Sequence, residues 1–217
     1  MSQSTQSKDR MVKVESLAPV LEAIRNRRSS PLMQPTAPSK DLIQQILQAA
    51  ACAPNHYRTS PWRFTVVAGS ARQEMGRIMA ASLLERVEDD EDDEKVGAEL
   101  DALLEKESSK PLRAPIIIAV ACVPSDQPKV SEIEEICACA AAVQNMLLAA
   151  EGLGLGAMWR TGKPADDPRI KRFLSFPDNS RLIAFVYVGY PAISSQHERM
   201  RDPDPYVRWL GEFPDVT

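Results

Sequence analysis

Very little in this chain invites metal or covalent chemistry. It has two histidines and four cysteines in 217 residues. Cys52, Cys122, Cys137 and Cys139 sit in apolar segments without the ligand spacing of a zinc site. No metal site is expected, and the cysteines read as buried, reduced thiols of a cytoplasmic protein. No apolar run approaches the roughly 18 to 20 residues that cross a bilayer, which argues against a membrane protein. Met1 to Lys13 is polar and rich in Ser and Gln. Lacking an apolar segment, it does not form a secretory signal, and residues 1–15 read as a disordered lead-in. Basic residues are too dispersed for the dense stripe that nucleic acid demands. No internal repeat is visible. What remains is an ordinary globular composition, 44% hydrophobic and 26% charged, with a length that fits one domain over 16–217.

The net charge of −4 conceals an asymmetry. Between Glu85 and Glu107 stand twelve acidic and three basic residues, a local balance of −9 that leaves the remainder at +5. Glu88 to Glu94 is an unbroken acidic run whose charges repel one another and stay solvated. Met79, Leu83 and Leu84 on one side, with Leu100, Leu103 and Leu104 on the other, carry helical apolar spacing. The pattern predicts a helical excursion over about 80–110 with an acidic break in its middle. The positive remainder leaves arginines available for an anionic ligand.

The punctuation of the chain sets out the elements. Leu17, Val20, Leu21 and Ile24 predict an amphipathic helix ending at Arg27-Arg28. Ser39 caps a second helix running to about Cys52, and Pro54 stops it. Strands are predicted over 63–68, 115–123 and 182–190, where β-branched and aromatic residues cluster. A third helix starts after Gly69-Ser70. Glu132 to Glu151 predicts a long central helix, and Ile170 to Phe176 a short one. Helices and strands mix without a βαβ repeat, so the class is α+β, a sheet flanked by helices.

Three segments carry candidate chemistry. Arg27-Arg28-Ser29 places two guanidiniums and a hydroxyl at a helix end, a set that grips compact anions through paired hydrogen bonds. The same arginines would also complement the helix dipole. Ala53-Pro54-Asn55-His56-Tyr57-Arg58-Thr59-Ser60-Pro61-Trp62 brackets polar and aromatic groups between prolines before a strand. His56 there is either a turn histidine bonded to backbone or a hydrogen-bond donor to a ligand. With no carboxylate nearby in sequence, no catalytic triad is supported. Gly152-Leu153-Gly154-Leu155-Gly156 follows a helix, whereas a dinucleotide fingerprint follows a strand. These glycines end the long helix and permit close backbone approach. Trp159-Arg160-Thr161 then adds a third arginine and a second hydroxyl, which could meet Arg27 to Ser29 around one phosphate.

Taken together, Arg27-Arg28-Ser29, Ala53-Pro54-Asn55-His56 with Pro61-Trp62, and Gly-Leu-Gly-Leu-Gly-Ala-Met-Trp-Arg-Thr-Gly resemble the nitroreductase family, closest to its compact bacterial NAD(P)H-dependent members. The resemblance runs from about Leu17 to Tyr206 and keeps the order and spacing of all three segments. It implies a three-layer α+β sandwich with a mixed, mainly antiparallel sheet, in an intertwined homodimer with FMN at the interface. By the same resemblance Arg27, Arg28 and Ser29 bind FMN, with Arg27 and Ser29 on phosphate or ribityl oxygens and Arg28 there or near the pyrimidine edge. Trp159, Arg160 and Thr161 form the later FMN-contacting stretch. His56 contacts FMN across the interface. Ser60 stands where close relatives carry a longer amide side chain, a departure at a cofactor-binding position.

The implied chemistry needs no catalytic residue of its own. Flavin N5 takes hydride from NADH or NADPH and gives it to a nitroaromatic, quinone or similar electron-poor small molecule, in ping-pong order, while the protein orients and polarises. The acidic excursion would form a cover beside the flavin and shape the choice of acceptor. Two other readings stay open. One is a different flavoenzyme of the same fold, an oxidase or reductive dehalogenase. The other is a flavin-binding module without turnover.

Overall fold

Ser39 begins the first well-defined helix of the main body as its sequence demands. Its hydroxyl accepts the backbone N–H of Leu42 at 3.3 Å, capping α2 (Lys40–Ala51). Such a cap stabilises a helix by roughly 1 kcal/mol. The structure is a computed structural model that describes residues 18–88, 97–193 and 202–212. The chain divides into two compact units. The smaller comprises Met1–Asn26 and Gln196–Thr217. It contains α1 (Ala18–Asn26), with Val20, Leu21 and Ile24 about half exposed, and a short 3-10 turn at Asp204–Tyr206 followed by exposed Trp209 and Leu210. Leu17 and the lead-in at 1–15 lie outside the described residues.

The larger unit, Arg27–Ser195, is built on a four-stranded sheet. β1 (Trp62–Ala68), β2 (Ile116–Cys122), β3 (Gly156–Arg160) and β4 (Arg181–Gly189) lie in the order β1-β2-β4-β3, every pair antiparallel. Beyond these strands a parallel bridge joins Ser29 to Ala157 and an antiparallel one joins Met33 to Pro191. All seven residues of β2 are buried, so both faces of the sheet are covered. On one face Ile116, Ile118 and Val120 of β2 meet α2 and the 21-residue α5 (Glu132–Gly152), through Ile43 and Ile46 of the former and Ala142, Val143 and Met146 of the latter. On the other face Ile117, Ala119, Phe185 and Tyr187 pack with Met75 and Met79 of α3 (Ala71–Glu88) and Ile170 of α6 (Pro168–Phe173). The result is a three-layer sandwich. Each fully buried Ile or Val contributes roughly 1.5–3 kcal/mol of apolar transfer.

α4 (Ala98–Ser109) packs against α3, so the predicted excursion is a helical pair. Residues 89–96, which include all of the acidic run but Glu88, lie outside the described residues. The helices cross closely at Gly76, where a β-carbon would stand 2.0 Å from the backbone oxygen of Ser108. α5 alone has the length and mean hydropathy (1.4 over 18 residues) to cross a membrane among the described residues. This departs from the expectation that no segment is long and apolar enough to do so. The helix earns its apolarity as a core element instead: Ala138, Cys139, Ala142, Val143, Met146, Leu147 and Ala150 are buried at the spacing of one helical face. Two cysteines depart from the expected burial. Cys122 and Cys139 are buried, but Cys52 and Cys137 are exposed. Cys137 precedes Cys139 by two residues, about 200° around the helix, which turns it away from the sheet.

Candidate functional site

The long helix ends as its glycines predict. Leu155 N–H reaches back to the Ala150 carbonyl at 2.8 Å, with Gly154 at φ +71°, a conformation that L side chains rarely adopt. The chain then enters β3 at Gly156. Here the second expectation for these glycines, close approach, is met: Ser30 sits against Gly156, and its N–H donates to the Ala157 carbonyl at 3.1 Å. Arg27-Arg28-Ser29 is thereby laid along the edge of β3. Both arginines are partly buried, and Nη1 of Arg28 donates to the Arg27 carbonyl at 2.9 Å.

β3 itself escaped prediction because Gly-Ala-Met-Trp-Arg contains no β-branched residue. Its alternation divides the motif Trp159-Arg160-Thr161 between the sheet faces. Trp159 lies on the α5 side and donates its indole N–H to the Ile183 carbonyl at 3.3 Å. Ile183 is the residue that β4 gains where its pairing with β2 shifts register beside Val120 and Ala121. Arg160 lies on the α3 side, with its guanidinium 5.6 Å from the centroid of the Tyr187 ring. Burial, only partly offset by Arg160 and Arg113, pushes the Tyr187 hydroxyl up to about 12, so it stays protonated at neutral pH.

Arg160 and Thr161 open onto a cleft of about 180 Å³. Arg86 of α3 and Lys110 just beyond α4 line it as well, together with Glu107, Phe185 and Tyr187. Glu107 is buried and pairs with Lys110. Three cations thus face one carboxylate, and two aromatic rings supply flat apolar surface. Arg27, Arg28 and Ser29 do not line this cleft; they lie along the neighbouring strand edge. Arg86, Glu107, Lys110, Phe185 and Tyr187 were missed in the sequence, where Arg86 and Glu107 fall within the predicted acidic helical excursion. The alternation of Phe185 and Tyr187 in an otherwise aliphatic strand was the available signal.

His56 and Ser60 lie elsewhere. His56 Nδ1 is 3.0 Å from Oε2 of Glu134, in the first turn of α5, and its ring stacks on Tyr57 at 4.3 Å. The carboxylate missing from its sequence neighbourhood is therefore supplied in space. Tyr57, Arg58 and Ser60 all have φ near +50°, a run costing roughly 1–3 kcal/mol per residue. Asn55 helps to hold it, accepting the Ser60 N–H on Oδ1 at 3.0 Å. From Glu134 to Gly152 the helix rises roughly 27 Å. The loop of His56 and the strip of Arg27 to Ser29 accordingly stand at opposite ends of α5.

A covered antiparallel sheet with an arginine strip on one edge strand and a basic, aromatic-lined cleft at that strand's end defines the class: the chain belongs to the nitroreductase family, whose sequence pattern matches residues 24–190. It is 28% identical over 191 residues to the Escherichia coli K12 protein named "Putative NAD(P)H nitroreductase YdjA", covering 88% of this chain and 98% of that one. Among solved structures, the nitroreductase-like family protein of Bacillus cereus superposes with a TM-score of 0.72 at 21% identity, over 97% of this chain and 98% of its own. A Desulfovibrio desulfuricans structure, described as a putative nitroreductase in complex with FMN, gives a TM-score of 0.65 at 26% identity, over 90% and 98%.

Proposed function

We propose that this protein is a cytoplasmic FMN-dependent oxidoreductase of the NAD(P)H nitroreductase type, working as a homodimer, with residues 16–217 serving that one activity. The observation that carries the reading is the arginine strip of Arg27 to Ser29 fixed against β3, with Arg160 and Thr161 of the same strand opening onto a cationic cleft. These residues fit FMN by their chemistry. Guanidiniums and hydroxyls suit the phosphate and ribityl oxygens, the paired aromatics suit a planar ring, and Arg86, Lys110 and Arg160 suit the negative charge of a reduced flavin. A relative in complex with FMN supports the same cofactor.

When bound, FMN supplies hydride acceptance from NADH or NADPH and hydride donation to a nitroaromatic, quinone or similar electron-poor acceptor, in ping-pong order. The chain's part is binding and polarisation. Arg27 and Ser29 hold phosphate or ribityl oxygens, Arg28 does so too or lies near the pyrimidine edge, and Trp159, Arg160 and Thr161 form the later FMN-contacting stretch. His56, with Ser60 beside it, reaches the site of the other subunit.

Three features support the shared site. The cleft of about 180 Å³ is smaller than the roughly 300–1,000 Å³ of a complete small-molecule pocket. His56 and Arg27 stand at opposite ends of α5, so a site using both draws them from two copies. Val20, Leu21 and Ile24 of α1, with Tyr206, Trp209 and Leu210, expose apolar surface of the kind that partners cover.

The test is spectroscopic. The purified protein is expected to be yellow and to bleach when NADH or NADPH is added without oxygen. A colourless protein that takes up no FMN overturns the reading.

A further inference from the structure

The strained loop from Asn55 to Trp62 rests on two supports. From α5, Glu134 pairs with His56 at 3.0 Å. From the end of β2, Cys122 stands opposite Trp62 in the sheet register, and the N–H of the next residue, Val123, donates to the Pro61 carbonyl at 2.8 Å. Each support has a thiol at its base. Cys122 is the last residue of β2, and Cys139 lies five residues beyond Glu134 on the buried face of α5. Both are fully buried, both belong to the core cluster between α5 and the sheet, and both are free.

The two thiols hydrogen-bond to each other across the junction of β2 and α5. That bond holds the Cys122 thiol below its ordinary value, against burial and the negative charge of Glu135 one turn before Cys139. The same bond, followed by burial, pushes Cys139 well above the thiol range. Cys122 is therefore the nucleophile of the pair, because the thiolate attacks and the thiol does not. A single buried cysteine is merely a small apolar side chain. Two that meet from different elements are a dithiol that a two-electron oxidation can close. Access is set by the connection between β2 and α5. Its residues 126–129 are exposed, and the Ser125 N–H ties it to Glu135 at 2.6 Å. Local opening of such a connection admits a small neutral molecule.

We propose that Cys122 and Cys139 form a reversible disulfide, closed by hydrogen peroxide, that ties the two supports of the His56 loop together. The Cys122 thiolate attacks one peroxide oxygen, an S–O bond forms and the O–O bond breaks. The hydroxide released takes up the Cys122 proton and leaves as water. The Cys139 sulfur then displaces the hydroxyl of the Cys122 sulfenic acid, the S–S bond forms, and the Cys139 proton leaves in a second water. Two thiols and one peroxide become one disulfide and two waters: the sulfurs lose two electrons and the peroxide gains them. A dithiol reductant reverses the bond by exchange.

The test uses the full-length wild type beside the double variant Cys52→Ser, Cys137→Ser, which lacks the two exposed thiols. Each is treated with hydrogen peroxide, quenched with catalase, unfolded in iodoacetamide and digested without reductant for mass spectrometry. In both proteins Cys122 and Cys139 are expected to be lost as free thiols together, their peptides joined in one cross-linked species. Dithiothreitol should restore both. In Cys122→Ser, Cys139 is expected to keep its thiol at the dose that closes the pair in wild type. The inference is overturned if Cys122 and Cys139 stay alkylatable at a dose that oxidises Cys52 and Cys137. It fails equally if they are converted to sulfinic acid without a cross-link, or if the cross-links found involve only Cys52 or Cys137.

Discussion

Gly156 and Ser30 are packed so closely that a β-carbon on the glycine would stand 2.8 Å from both Cβ and Oγ of the serine. This contact seats Arg27 to Ser29 on the edge of β3. Gly156→Ala is therefore expected to lift the strip from the strand and weaken FMN binding by at least about tenfold, because charge-assisted contacts depend on placement. Fluorescence titration with FMN, beside a thermal melt showing a folded protein, checks this. Unchanged affinity in a folded variant would show that the close approach has no part in holding the cofactor.

The two ends of α5 allow a complementation experiment. Arg27→Ala and His56→Ala are each expected to lower flavin occupancy while leaving the fold intact, Arg27→Ala by roughly 10- to 100-fold in affinity. If one site takes Arg27 from one subunit and His56 from the other, mixed dimers place both defects in one site and leave the other whole. Unfolding and refolding the two variants together should then restore about a quarter of wild-type occupancy, since half the dimers are mixed and each has one intact site. No recovery, with mixed dimers demonstrated, would mean that each chain supplies both residues to its own site.

Gly76 offers a test of sign. In a free helix, Gly→Ala stabilises by roughly 1 kcal/mol. Here the added methyl would meet the Ser108 carbonyl oxygen at 2.0 Å, so α3 and α4 must part. Gly76→Ala is predicted to destabilise the protein by about 1–3 kcal/mol, the usual range for overpacking. Urea unfolding measures it, and a stabilised variant would refute the close crossing.

Asp167 predicts a pH dependence. Its carboxylate accepts from Arg169 three times, from the backbone N–H at 2.8 Å, Nε at 3.1 Å and Nη2 at 2.8 Å. Arg169 also reaches Glu85 of α3 at 2.6 Å. The Arg169 hydrogen bonds, with a further one from Ser82, hold the Asp167 carboxyl well below the usual carboxylate range despite partial burial. A lowered native value contributes stability that is complete above the ordinary aspartate value near 3.9 and is lost as pH falls through the native one. Asp167→Asn should cost roughly 2–3 kcal/mol at pH 7, and the gap from wild type should close as pH drops below about 4. Urea unfolding across pH 3 to 7 decides; a constant gap would refute the ionic origin.

Periodicity and punctuation revealed the parts of this fold that are locally determined. Ser39 and Pro54 bracketed α2, and the isoleucine run of β2 announced a strand covered on both faces. β3 was hidden because an edge strand of small and unbranched residues is held by its neighbours: Ala157 by Val188 and Ser29, and Arg160 by Phe185. The site divided in the same way. Arg27 to Ser29 and Trp159 to Thr161 stand out as short motifs. The cleft's other walls come from α3, the end of α4 and β4, about a hundred residues apart from first to last, and only packing brings Arg86 to Tyr187. Glu107 looked like one more acid of the excursion because nothing in its flanks reveals that it is buried.

α5 also acts as a ruler. It carries the anchor of the His56 loop in its first turn and the entry to β3 at its last. The count of residues between Glu134 and Gly152 therefore fixes both the distance between these two groups and their rotation about the helix axis. Four inserted residues would lengthen the span by about 6 Å and turn one end by about 40° relative to the other; a single residue would turn it by about 100°. Any assembly that brings the two ends of neighbouring chains together has its spacing written into the length of this helix, which can change only in increments that the assembly tolerates.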